Sequence, residues 1–236
     1  IIHISELNPE EKVALFIKIM EQGGKSLTTA QREKAKEFLN SIPPFPLDVS
    51  IAAYYLKSTN ITYAAYLQYL RKYEKNFILM QENILKEASE YKKSRYGIVS
   101  LSLKHIMGIH KDFTDLLLFV SLLNAQDIPR ALLNICKNDL IVDDFIYNLK
   151  KHSLLTGDSL SMGSASTFSI HQSTQEIIYT YLNRLNSENK SGLIASFADA
   201  LNKYAKENIS NSFVIKNCMM HCKKFLAHES LLTDCT

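Results

Sequence analysis

Cys218, His221, Cys222 and His228 carry the donor atoms of a metal site. One helical turn separates the two cysteines, so both thiols could face one ion. Structural zinc sites, however, usually place a cysteine pair on a tight loop and add a second pair, and no second pair follows here. The residues read instead as two small apolar side chains on the packed face of a helix with His221 beside them, and no metal is expected. Gly23-Gly24-Lys25-Ser26 resembles the tail of a phosphate-binding loop, but that pattern needs a further glycine five places before Gly24. The position holds Ile19, inside a helical pattern, so the glycines read as a helix stop. His171 stands at the joint between a short strand, Thr167 to Ile170, and a helix whose Ile177, Ile178, Tyr181, Leu182 and Leu185 recur at helical spacing. Its imidazole either joins strand to helix or reaches a group such as a phosphate, and the residues alone leave both open. Lys92, Lys93 and Arg95 read as a solvated helix end, and Tyr54, Tyr55, Tyr63, Tyr66, Tyr69 and Tyr73 as half-buried packing residues rather than a base-stacking surface. No G-x-S-x-G elbow or other nucleophile motif appears, so no catalytic set can be named.

The elements that position these residues are helical. Seven glycines and five prolines in 236 residues leave little room for turn-rich β architecture. With 27 basic and 24 acidic side chains the net charge is only +3, which is not the electrostatic footprint of a nucleic-acid binder. Cys136, Cys218, Cys222 and Cys235 are too sparse for a disulfide framework, and a reducing interior is expected. The largely apolar run Leu116 to Leu123 is too short to cross a bilayer and reads as a core helix. No signal peptide is recognised, and the start at Ile1 rather than methionine suggests a piece of something larger.

In chain order, Ile1 to Ile4 reads as a strand end, and Asn8-Pro9-Glu10-Glu11 as a capped helix start with Val13, Leu15, Phe16, Ile19 and Met20 on its buried face. Thr29 to Leu39 is a polar helix broken by Ile42 to Pro46. Leu47 to Lys57 is a central helix, and Ser58-Thr59-Asn60 is the cap of the next. Further helices are expected through Phe77 to Tyr91, Ile98 to Met107, Phe113 to Leu123, from Asp127-Ile128-Pro129 to Cys136, and Val142 to Leu149. A hairpin with a serine- and glycine-rich tip then leads to Thr167–Ile170. Helix, turn, helix, hairpin is the order of a winged helix. Ser173 is expected to cap the helix to Leu185, Ser187 to Asn189 to form a linker, and Ser191–Lys206 and Ser212–Ala227 to form a pair of helices that could start a repeat array.

Three stretches together resemble one family, the STAND-class, NB-ARC-like nucleotide-binding signalling ATPases. The opening I-x-I-S-E-L-N-P-E-E-K with Ala14-Leu15-Phe16 looks like the stretch after that family's nucleotide-binding domain. Phe45-Pro46-Leu47-Asp48 with Ile51 to Leu56 is similar to its Gly-Leu-Pro-Leu-Ala motif and helix, and Phe168-Ser169-Ile170-His171-Gln172 to its Met-His-Asp motif. The likeness covers roughly Ile1 to Leu185. In the family the motif's proline lies against the adenine and the histidine touches the β-phosphate of ADP. The resemblance therefore implies cofactor-binding roles for Pro46 and His171. Phe45 stands in place of the usual leucine, and Gln172 in place of the aspartate that latches the winged helix to the neighbouring helical domain. The phosphate-binding loop and acidic magnesium strand would lie upstream of Ile1, so the chain itself is expected to be no enzyme and to hold no nucleotide alone.

The expected fold is mainly α: a helical bundle over 1–93, a winged-helix domain with a small β-hairpin over 94–186, and helical-repeat-like helices over 187–236. The implied function is that of a regulatory lid closing over ADP, or ATP, in the full-length cytoplasmic protein, coupling nucleotide state to oligomerisation or signalling. Its implied partners are the upstream nucleotide-binding domain, proteins engaged through the C-terminal repeats, and further copies of itself on activation. No nucleic acid and no membrane are expected. Two other readings are a winged-helix DNA-binding protein, opposed by Asp143 and Asp144 at the start of the presumed recognition helix, and a helical protein-interaction scaffold without nucleotide dependence.

Overall fold

The computed structural model describes residues 6–24, 26–81, 90–159, 166–183 and 190–233. The expected strand at Ile1–Ile4, the hairpin tip at 160–165, the linker Ser187–Asn189, Leu185 and Cys235 lie outside them, as do the side chains of Glu90 and His228. Among the described residues the chain forms eleven helices and one small antiparallel sheet, so it is mainly α. Its contacts divide it into two units, 1–105 with 151–153, and 106–150 with 154–236. The division falls at the end of α5 (Glu90–Met107), twelve residues beyond the boundary that the sequence suggests at 93/94, because helical periodicity runs through that point without a break.

In the first unit, Asn8 caps α1 (Pro9–Glu21) reciprocally: its side chain accepts from Glu11 N, and Glu11 accepts from Asn8 N, both at 2.9 Å. Only Phe16 and Ile19 of the expected α1 face are buried. Val13, Leu15 and Met20 remain partly exposed. Gly23 and Gly24 end the helix at φ +92° and +84°, the left-handed region that glycine enters without a Cβ penalty. Thr28 caps α2 (Thr29–Leu39), and α3 (Pro46–Thr59) packs on α1. Asn60 closes α3 as a left-handed C-cap at φ 54° rather than opening the next helix. That helix, α4 (Tyr63–Gln81), begins under Thr62, whose hydroxyl accepts from Ala65 N at 3.2 Å.

Phe38 stacks on Tyr63 at 4.8 Å and meets Phe16 and Tyr66 edge-on or tilted, at 5.7 and 5.5 Å. Tyr55 adds a T-shaped contact to Tyr66 at 5.5 Å, so these tyrosines serve as packing residues. Arg95 departs from the sequence reading. It is buried and holds the fully buried Asp48 at 3.1 Å, so Lys92-Lys93-Arg95 is not uniformly a solvated helix end.

The second unit follows the order α6 (Phe113–Leu122), β1 (Ile128–Pro129), α7 (Arg130–Cys136), α8 (Asp139–Lys151), β2 (Leu155–Ser159), β3 (Thr167–Ile170). The sheet order is β1-β3-β2, with Ile128 opposite Phe168 and Leu155 opposite Ile170, which is the winged-helix arrangement. Asp127-Ile128-Pro129 therefore does not open a helix. Asp127 turns at φ 53°, the next two residues pair with β3, and Pro129 is the N-cap of α7. A two-residue strand has too few positions to show alternation. The α6 run is core, with every residue from Leu116 to Leu123 buried. Behind it pack α9 (Gln172–Leu182), α10 (Lys190–Glu207) and α11 (Ser212–Thr233). The α10 helix lies against α7 and α6, and Phe119 stacks on Phe197 at 4.4 Å.

Candidate functional site

Pro46 belongs to the first unit and His171 to the second, and each is built by its own surroundings. Pro46 is the first residue of α3, where a missing N–H costs nothing because the first-turn donors have no intrahelical acceptor. Phe45 precedes it at φ −108°, ψ 137°, the extended conformation that a following proline imposes. Nearby, Leu7 N donates to Pro44 O at 2.7 Å, joining the segment before α1 to the proline-rich turn. Two residues after Pro46, Asp48 takes both carboxylate oxygens to Arg95, at 3.1 and 3.3 Å.

His171 is the N-cap of α9, at φ −63°, ψ 130°. It holds the place expected for Ser173, whose backbone N–H donates to His171 Nδ1 at 3.2 Å. An imidazole that accepts at Nδ1 carries its proton on Nε2, so the exposed ring is in the tautomer that donates from its outer nitrogen. Its base is firmly set. Ile170 N donates to Ala125 O at 2.8 Å and Asp127 N to Ser169 Oγ at 3.0 Å. One turn into α9, the buried Gln175 donates from Nε2 to Val120 O and Leu123 O, both at 2.7 Å. The imidazole thus stands on a strand end and a helix start that are both pinned to the end of α6.

His221 has a structural role visible only in three dimensions. Its Nδ1 accepts from Asn124 N and its Nε2 donates to Asp127 O, each at 3.2 Å, fastening α11 to the corner before β1. Burial lowers its pKa, which suits a neutral ring with one donor and one acceptor. Burial, with Cys222 beside it, pushes the Cys218 thiol up to about 12. Among the described residues no three His, Cys, Asp or Glu side chains gather as a metal site.

Two features escaped the sequence reading. His152 is fully buried, its ring 5.1 Å from that of His105, and among the described residues neither of its nitrogens finds a hydrogen-bond partner. Burial, then the neighbouring His105 and Lys151, lower its pKa to about 4. Its environment comes from residues far away in the chain, so no local spacing marks it. The other feature is a groove of about 570 Å³ between α1 and α2, lined by Leu7, Val13, Ile17, Leu39 and Pro44. Its cations are already engaged: Lys12 donates to Leu39 O and Ile42 O, Arg32 pairs with Glu21, and Lys36 with Glu33, which leaves an apolar floor.

No protein-family model matches the chain, and no curated protein matches it.

Proposed function

We propose that the chain is the regulatory lid of a STAND-class, NB-ARC-like ATPase, closing over ADP held by a nucleotide-binding domain of the same protein and moving away on nucleotide exchange. The observation that carries this reading is His171: an exposed imidazole with Nδ1 engaged by Ser173 N, mounted on a pinned strand-to-helix joint behind a winged helix. In that tautomer Nε2 is the donor, which is what contact with a β-phosphate oxygen requires. Pro46, half-buried at the first turn of α3, is the residue that the resemblance would set against adenine. The protein would act in the cytoplasm, with the helical pair α10 and α11 leading towards a partner-binding repeat region. No helix among the described residues is long and apolar enough to cross a membrane.

The test uses the protein that includes the nucleotide-binding domain. A charge-assisted bond to phosphate contributes roughly 1.5 to 3 kcal/mol, so His171→Ala should speed ADP release about ten- to a hundredfold. The mutant should also form a more easily proteolysed or oligomeric species. If His171 serves only as a helix cap, the mutation should lower the melting temperature and leave the ADP off-rate unchanged, and that result removes His171 from the site.

A further inference from the structure

Helix α11 carries two seams. One is used by the fold: Val214, Cys218, His221 and Phe225 are buried in the second unit. The other lies on the opposite side of the helix, where Lys216, Met219, Lys223 and Leu226 follow one another at steps of three, four and three residues, the a and d spacing of a coiled-coil heptad. Its apolar members are exposed, Met219 by 67% and Leu226 by 60%. Both lysines are exposed too, and among the described residues neither has an ion-pair partner. No Asp or Glu occurs from Ser212 to Ala227. On α10, which packs on α11, Glu207 already pairs with Lys203 at 3.9 Å. Across the two helices the described side chains include five lysines against two carboxylates, Asp199 and Glu207.

We propose that this second seam binds an acidic amphipathic helix of another protein, with Glu or Asp alternating with apolar residues at the same three-and-four spacing. Unpaired charge within the seam selects that occupant. A second copy of the chain, whichever way it runs, would enclose four ammoniums with no carboxylate between them. A duplex would set phosphates against Met219 and Leu226, which gain nothing from them. An anionic lipid surface would take those two side chains into hydrocarbon with Lys216 and Lys223 interleaved, whereas helices that lie in a bilayer interface keep their lysines on the polar face. An acidic helix pairs each ammonium while its apolar residues cover Met219 and Leu226, in the manner of helix-face recognition. The proposal does not depend on the nucleotide-linked role of His171.

The probe is a pair of synthetic helical peptides about three heptads long, titrated against the whole chain by fluorescence anisotropy. Both have leucine at the d positions; the a positions hold glutamate in one and lysine in the other. The glutamate peptide should bind about tenfold or more tightly than the lysine peptide and weaken in high salt. Met219→Ala with Leu226→Ala should reduce its binding about tenfold or more. Lys216→Glu with Lys223→Glu should invert the preference, so that the lysine peptide becomes the tighter ligand. Circular dichroism and melting of each variant should match the parent, since all four side chains are exposed. No binding of the glutamate peptide, equal binding of the two peptides, or a preference that survives the charge reversal would each overturn the proposal. So would binding to phosphatidylserine vesicles, or self-association of the chain, that the same reversal abolishes.

Discussion

The two units close their helix ends with different chemistry. In the first, lysines do the work: Lys12 reaches Leu39 O and Ile42 O after α2, and Lys57 reaches Ile19 O at 2.9 Å and Gln22 O at 2.6 Å after α1. In the second, neutral groups do it: Gln175 covers Val120 O and Leu123 O after α6, and His221 meets Asn124 N and Asp127 O at the next corner. Burial explains the choice. Both lysines remain partly exposed, so an ammonium can meet carbonyls at the negative end of a helix and keep part of its hydration. Gln175 and His221 are 3% and 1% exposed, where an unpaired charge would lose more in desolvation than it gains.

The first unit also contains the case that strains this contrast, the buried Asp48–Arg95 pair. A buried charge persists when paired, so removing one partner should have the largest effect in the molecule. Asp48→Ala should cost about 3 to 5 kcal/mol, measured as a lower urea midpoint, because it takes the carboxylate away from a buried guanidinium. Asp48→Leu with Arg95→Met should recover most of that loss. A double mutant as unstable as the single would mean that the pair contributes through packing rather than charge.

His152 tests the same contrast through pH. Its ordinary pKa of 6.5 is lowered to about 4 in the fold, so below 6.5 the unfolded chain takes up a proton that the folded chain refuses. Stability from this group is fully present above pH 6.5 and lost as the pH falls towards 4. The difference corresponds to about 3 to 4 kcal/mol at the acid end. His152→Leu should flatten the stability profile over that window by this amount relative to the parent, while the carboxylate contributions, common to both proteins, cancel. Parallel profiles would show that the buried ring does not couple to folding.

In the second unit, Gln175→Leu should cost about 2 to 3 kcal/mol, since two carbonyls at the buried C-terminal end of α6 lose their donor and water cannot replace it. Thermal melting should register the loss, and amide exchange should rise first around residues 120–127. A cost under about 0.5 kcal/mol, the range of an ordinary surface change, would place that carbonyl end in water after all.

The ends of helices were largely legible in the sequence where the signal is local. Asn8-Pro9 opens α1, Gly23-Gly24 closes it, and Pro46 begins α3, because caps and glycine stops act within a few residues. The β2–β3 hairpin and the core character of α6 followed from turn residues and a largely apolar run. Asn60 and Ser173 were misread because short polar residues suit either side of a helix boundary, and only φ or an actual bond separates the two. Lys12, Lys57, Gln175 and His221 find their partners 27 to 97 residues away, beyond any periodic pattern. Arg95 looked like a surface cation for the same reason: its carboxylate lies 47 residues earlier. As for the site, the sequence singled out Pro46 and His171 only through a resemblance, and the cap geometry and tautomer of His171 became visible only with Ser173 N in place.

The smallest effect gives the sharpest comparison. Lys57→Met keeps an apolar stem of similar length and removes only the ammonium from Ile19 O and Gln22 O, so packing is largely conserved. Both carbonyls sit at a partly exposed helix end and water can take the vacated place, which limits the cost to about 0.5 to 1 kcal/mol. What remains is an interaction of charge with the end of a helix, and that is screened by salt. Raising the ionic strength should therefore shrink the gap between the parent and Lys57→Met, while the gap between the parent and Gln175→Leu stays constant, because the amide bonds are neutral and dry. Unfolding both variants in urea at low and high salt reads the two gaps directly. If Lys57→Met costs as much as Gln175→Leu and its gap ignores salt, the lysine acts as a buried donor like the glutamine, and the two units close their helices by one chemistry rather than two.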